Sequence, residues 1–260
     1  MIKKTGLLFI HFLLYLVSFG QTDEELNEKS IEYIRTQEFE KAIPLLRQAS
    51  LLGIAEAQYN FGVTLEFGYG IETNLDSAFY WYFKSAEQGW NDGLYKMMMA
   101  HAEGKGAIQN NEKAFEYALK CANNNDITCM FNVVVSYHEG LGTKKDLEKA
   151  IDWAIKIGKL PNEENLMKSG KITSARLNLA YMYRDGKDVV VDLTKSYSWF
   201  LIYNESKRDF STLQQISVIQ EIKDLEAVLT KKEIKNAKKL AEQILERPLS
   251  NTKNLYETQH

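Results

Sequence analysis

Ala42, Ala78, Ala114 and Ala150 stand 36 residues apart, and two glycine series, Gly68, Gly104, Gly140 and Gly70, Gly106, Gly142, keep the same interval. Gly53 and Gly89 repeat it at a third position. A sustained period of this length restricts the chain to architectures in which one short unit is stacked on its neighbours. A fourth copy, from Ala150 to Gly186, is shifted by ten residues, and beyond the shift Trp199 falls where Trp81, Tyr117 and Trp153 fall.

Each period divides into two amphipathic stripes. Ala78, Trp81, Tyr82, Ser85 and Ala86 follow the i, i+3, i+4, i+7, i+8 pattern of one helix face. A Gly turn follows, then a second stripe, such as Ala57, Phe61, Leu65 or Cys129, Val133, Tyr137. Gly-x-Gly closes this second helix, where glycine supplies a left-handed exit. The unit is therefore a helical hairpin, and little of the composition is left for a sheet. The fold class expected is all-α.

The segment AEAQYNFGVTLEFGYGIETNLDSAFYWYFKSAEQG, residues 55–89, resembles the Sel-one-like repeat, a relative of the tetratricopeptide repeat. Its A-x-A-Q opening, G-x-G turn and the A-x-x-W-x-x-K helix of Ala78 to Lys84 carry the likeness, which extends over about residues 38–203. Met98 and Val134 depart from the pattern where the first copy has Gly62, and Asp188 replaces the second turn glycine of copy four. The resemblance implies a right-handed superhelical solenoid of antiparallel helix pairs and an adaptor or scaffold role.

The domain plan that follows is a signal peptide at 1–20, an N-terminal capping helix at 21–37, a solenoid at 38–203 with an insertion near 161–170, capping helices at 204–247, and a disordered tail at 248–260. Lys3 and Lys4 precede an apolar run from Leu7 to Val17, too short to span a bilayer, and a small-residue exit at Ser18 and Gly20. Export to the periplasm or the exterior is expected, with no membrane span in the mature chain. Removing the leader takes the net charge from −3 to −5, which argues against a nucleic-acid partner. The lysine-rich run 231–239 reads as a solvated helix face. Thr230 and Glu233 have capping-box spacing.

Cys121 and Cys129, the only cysteines, fall at opposite ends of an inter-helix turn, where other copies have Ala49 with Ala57 and Ser85 with Gly93. Small residues at both positions imply close helix approach, and an oxidising compartment favours a disulfide worth roughly 2–3 kcal/mol. Two buried thiols are the other reading of the residues. The spacing is similar to a cysteine-rich secreted branch of the family, in which each repeat carries such a bridge. A metal site lacks ligands, since His101 and His138 are out of register with each other.

Members of that branch are linked to penicillin binding, so a cell-envelope enzyme or cell-wall-fragment binder with β-lactamase-like activity is the alternative. Its S-x-x-K signature occurs only at Ser250–Lys253, in the expected tail, and K-T-G only at Lys4–Gly6 in the leader. No catalytic residue, cofactor or metal is expected. The protein is read as a monomeric, non-enzymatic module that binds a protein or peptide in its groove. Tyr80 replaces Pro44, Glu116, Asp152 and Ser198 at a solvent-type position, and with Phe83, Lys84 and Trp90 it forms an aromatic and basic group. These four, and Tyr181 and Tyr183 beside the insertion, are the groove candidates; packing on the adjacent repeat is the competing account of the aromatics.

Overall fold

The computed structural model describes residues 22–205 and 212–255. The signal peptide expected at 1–20 lies outside the described residues. Among those residues every regular element is a helix. The chain divides after Asn124 into two compact units.

The first unit contains α1 (Asp23–Arg35), α2 (Phe39–Leu51), α3 (Ala55–Phe67), α4 (Leu75–Glu87), α5 (Asn91–Glu103) and α6 (Asn111–Asn123), each packed on the next. The second contains α7 (Ile127–Glu139), α8 (Leu147–Lys159), α9 (Leu166–Asp185), α10 (Leu193–Asn204), α11 (Thr212–Val228) and α12 (Lys231–Leu245). Here α7 to α10 pack in sequence, while both α11 and α12 pack on α10. A 3-10 turn, Asn251–Leu255, ends the described chain.

The periodic residues explain the helix boundaries. Gly68, Gly104, Gly140 and Gly186 end α3, α5, α7 and α9 in the left-handed conformation. Asn74, Asn110, Asp146 and Asp192 then open α4, α6, α8 and α10, their side chains accepting the N–H groups of Ser77, Lys113, Lys149 and Lys195. Each of these cap residues also donates its own N–H to a carbonyl of the preceding helix, at Leu65, His101, Tyr137 and Tyr183. The loop is thus pinned at both ends in every copy.

Core volume is matched pair by pair. A Cβ placed on Gly62 would lie 2.6 Å from the Tyr82 ring, so glycine is what admits the buried tyrosine. One period later the same two register positions hold Met98 and Ala118, both buried: the large residue has changed helices. Ala180 and Phe200, buried in the second unit, return to the first arrangement. The departures of Met98 and Val134 from the glycine pattern are therefore compensated on the facing helix.

Side chains reach backbone carbonyls of neighbouring helices across the stack. Ser85 donates its hydroxyl to the Ala55 carbonyl at 2.7 Å, and Cys121, its register equivalent, places Sγ 3.8 Å from the Asn91 carbonyl. Both cysteines are disulfide-bonded and none is free. Gln58 donates to the Ser50 carbonyl, and in the second unit Arg176 takes over at the equivalent place, donating to the carbonyls of Gly158 and Leu160 and to the Asn162 amide oxygen. Burial pulls the Arg176 guanidinium down to about 10. The insertion near 161–170 lengthens α9 to 20 residues, against 13 in α3, α5 and α7, so only residues 160–165 remain as connection.

Beyond Pro248 the described chain forms the turn Asn251–Leu255, with Leu255 fully buried. Glu205, with a side chain only 1% exposed, accepts the N–H groups of Ser250 and Asn251 at 2.9 and 2.6 Å, the Ser250 hydroxyl and the Arg247 guanidinium. Burial alone would raise its carboxyl, but these donors outweigh it and hold the group below the usual range.

Two predictions follow from the packing. Gly62→Met should cost about 1–3 kcal/mol through overpacking, and Tyr82→Ala in the same chain should restore much of the loss by recreating the 98/118 pair. Additive costs in a denaturation cycle would refute the volume exchange. Because the folded Glu205 value is depressed, its contribution is complete above the ordinary carboxyl value and is lost as pH falls through the folded one. Amide exchange of residues 249–255 should therefore accelerate below about pH 4.5, and Glu205→Gln should show fast exchange already at neutral pH.

Candidate binding groove

Each unit carries a concavity on the face where two of the Gly-ended helices flank the helix between them. In the first unit a cavity of about 400 Å³ is lined by Glu66 of α3, by Leu75, Ala78, Phe79 and Tyr82 of α4, and by Tyr95, Lys96, Met99 and Glu103 of α5. In the second a cavity of about 440 Å³ is lined by Phe131, Val134 and His138 of α7, by Leu147, Ala150, Ile151 and Ala154 of α8, and by Asn178, Tyr181, Met182 and Asp185 of α9 with Lys187 and Asp188. The two are equivalent in register. His138, Leu147, Ala150, Ile151 and Ala154 stand two periods after Glu66, Leu75, Ala78, Phe79 and Tyr82. Asn178, Met182, Asp185 and Asp188 match Lys96, Ala100, Glu103 and Gly106 once the ten-residue shift is added.

Equivalent walls carry different polar groups. In the first cavity Glu66 accepts bonds from Lys96 Nζ and from the Tyr82 hydroxyl, both at 2.5 Å. Burial pushes the Glu66 carboxyl up, but these two donors prevail and its value is lowered. The Lys96 ammonium also lies 5.0 Å from the Tyr82 ring centre and 5.5 Å from that of Phe67. Burial, with the Glu66 bond next in size, drives the Tyr82 hydroxyl far above its ordinary value.

In the second cavity His138 reaches Asp188 through Nε2 at 3.1 Å and Glu139 through Nδ1 at 2.5 Å. The Asp188 contact, then the Glu139 contact, raises the imidazole above its ordinary value. Asp188 has φ +64° at the place of a turn glycine, a conformation aspartate tolerates better than most residues. Tyr181 packs edge-on against Phe200 at 5.1 Å, with the Arg184 guanidinium 4.6 Å from its ring centre. Arg184 is held in turn by Asp185 and Glu221.

Of the residues singled out from sequence, Tyr181 lines a groove cavity. Tyr80 is 51% exposed and packs edge-on against Trp81, while Lys84 bonds Glu87 at 2.8 Å and lies 5.7 Å from the centre of the Phe83 ring. Trp90 stands at the N-cap of α5. None of these four lines either groove cavity. Tyr183 belongs to the core cluster with Tyr197 and Phe200, and its edge lines a neighbouring cavity with Leu147, Ile151, Asp188 and Lys195. Glu66, Lys96 and the His138–Asp188 pair were not singled out. Lys96 breaks an asparagine series, Asn60, Asn132 and Asn178, and Asp188 breaks a glycine series; those breaks were the available signals. Ser250 of the S-x-x-K match spends its hydroxyl on Glu205, away from both cavities.

Stacked helix pairs with a polar-rimmed groove define a repeat protein of the interaction-module class. The Sel1 repeat family model matches residues 55–90, 92–126, 129–162 and 173–202. The chain belongs to the Sel1 repeat family. Repeats of this family mediate protein interactions and generally serve as non-enzymatic scaffolds. Among solved structures, a Sel1 repeat protein from Oxalobacter formigenes is 19% identical with a TM-score of 0.59, covering 76% of this chain and 84% of that one. The protective antigen c5321 of uropathogenic Escherichia coli, which displays an SLR fold, is 21% identical over 92% of this chain and 57% of its own, with a TM-score of 0.40. No curated protein sequence matches the chain. Among the described residues no helix is long and apolar enough to cross a membrane.

The His138 contacts generate a titration test. A raised folded value means that the stabilisation they provide is complete below the ordinary value of 6.5 and is lost as pH rises through the folded value. An NMR titration should place the His138 midpoint above 6.5, and Asp188→Asn should move it down. An unchanged midpoint in that variant would disprove the pairing.

Proposed function

We propose that the protein is an exported, non-enzymatic adaptor that holds an extended segment of a partner protein along its groove. The observation that supports this reading is the recurrence of one concavity at the same register in both units, with its polar groups changed from Glu66 and Lys96 to His138 and Asn178. Apolar floors offer anchoring sites for side chains, and the differing rims supply selectivity along the segment. Export rests on the basic and apolar character of residues 1–20, and the disulfide is compatible with an oxidising compartment. The partner segment is read as a peptide chain because the concavity of each unit is an open, apolar-floored cleft between helices.

The test is a selection of peptides from a random displayed library on the folded protein. Selected peptides should lose roughly tenfold or more in affinity on Tyr181→Ala or Lys96→Ala, the loss typical of truncating an interface anchor, and should be unaffected by Tyr80→Ala. Peptides that respond to Tyr80→Ala and Trp90→Ala instead would move the site to the outer face of α4.

A further inference from the structure

Helix α12 presents a face that neither the fold nor the groove uses. Its buried side consists of Ala237 and Ala241, which are fully buried, with Ile234, Ile244 and Leu245 packed partly against the core. At 100° per residue, Lys232, Lys235 and Lys239 fall on the opposite side, followed there by Glu242 and Glu246, while Lys231 and Lys238 lie on the flanks, Lys238 half-buried. The stripe is roughly 12 Å long, from the 1.5 Å rise per residue. Among the described residues none of these five lysines forms an ion pair. Glu233, the one acid within the run, is occupied in the capping box with Thr230.

Among the described residues some helical lysines of the chain are paired, others are not. Lys41, Lys84, Lys149 and Lys195 each bond an acid three residues away. Like charges spaced i, i+4, as in Lys231, Lys235 and Lys239, destabilise a helix by a few tenths of a kcal/mol per pair. The chain as a whole is acidic, at −3, so the stripe is local and not a consequence of overall composition. Beside its N-terminal end, at the turn from α11, Val228 stands 67% exposed. A row of unpaired lysines flanking a protruding aliphatic side chain matches an anionic bilayer surface: the ammonium groups meet headgroup phosphates while the valine enters the interfacial layer.

We infer that α12 is a peripheral docking surface for anionic lipid bilayers. It holds the module against a membrane with the groove left to its own partner.

The experiment is co-sedimentation of the full chain with vesicles of phosphatidylcholine alone and of phosphatidylcholine with phosphatidylglycerol. Binding is expected only with the anionic lipid, declining as salt is raised. Lys231→Gln, Lys235→Gln and Lys239→Gln together should weaken it roughly a hundredfold, at about fivefold per lysine. Val228→Ser should weaken it further without altering the salt dependence, and circular dichroism should show all variants folded, since the residues changed are exposed. Absence of binding by the wild-type chain, equal binding by the triple variant, or binding to soluble polyglutamate but not to vesicles would each overturn the inference.

Discussion

Burial of each Gly-ended helix against the helix that follows it is the contact on which the rest of the structure depends. Helices of 13 residues, the length of α1 to α8, are marginal in water on their own. Their stability therefore comes from packing. The packing is close because alanines at one register position, Ala42, Ala78, Ala114 and Ala150, are all buried, so backbones approach with little between them. Close approach buries helix termini as well, and each buried carbonyl then needs a donor. Gln58 and Arg176 provide donors from the following helices. Apolar and polar requirements thus arise from one geometric cause and recur together.

That common cause is why so much of the fold was legible. Alanines, turn glycines and cap residues do the same work in each copy, so repetition exposes them. The groove was not legible in the same way. Register separates repeated residues from variable ones, yet exposed residues on the outer and inner faces vary alike, so Tyr80 and Lys96 were indistinguishable by that criterion. Tyr181 and Tyr183, two apart on a helix, point about 200° away from each other, so they line two neighbouring cavities rather than one. The C-terminal segment makes contacts that were not legible for another reason. It is held by backbone N–H groups donating to Glu205, and every residue but proline has one, so polar composition carried no signal of the contact.

Stability does not account for the polar groups of the groove. Ion pairs between half-exposed side chains contribute about 0–1 kcal/mol, and burial partly opposes the charge on Glu66. The positions also change identity freely: Glu66, Ala102, His138 and Arg184 occupy one register site. A position that the fold leaves free, on a concave face with an apolar floor, is available for recognition. The two units use that freedom differently. Lys96 keeps Glu66 ionised across the neutral range, so the first rim has fixed charge. His138 sits between two carboxylates that raise it above its ordinary value, so the second rim carries a group whose charge depends on pH.

The same reasoning separates the faces of the terminal helix. Ala237 and Ala241 repeat the small-residue logic of the stack and let α12 sit close on α10, where Ser198 donates to the Ala237 carbonyl at 3.1 Å. This contact also explains why Ser198 is buried although its register equivalents Tyr80, Glu116 and Asp152 are exposed. Once α12 covers α10, its outer side is under no packing constraint, and Lys232, Lys235 and Lys239 stand there. An end helix therefore carries charge that an internal helix, flanked on both sides by neighbours, has no free face to display.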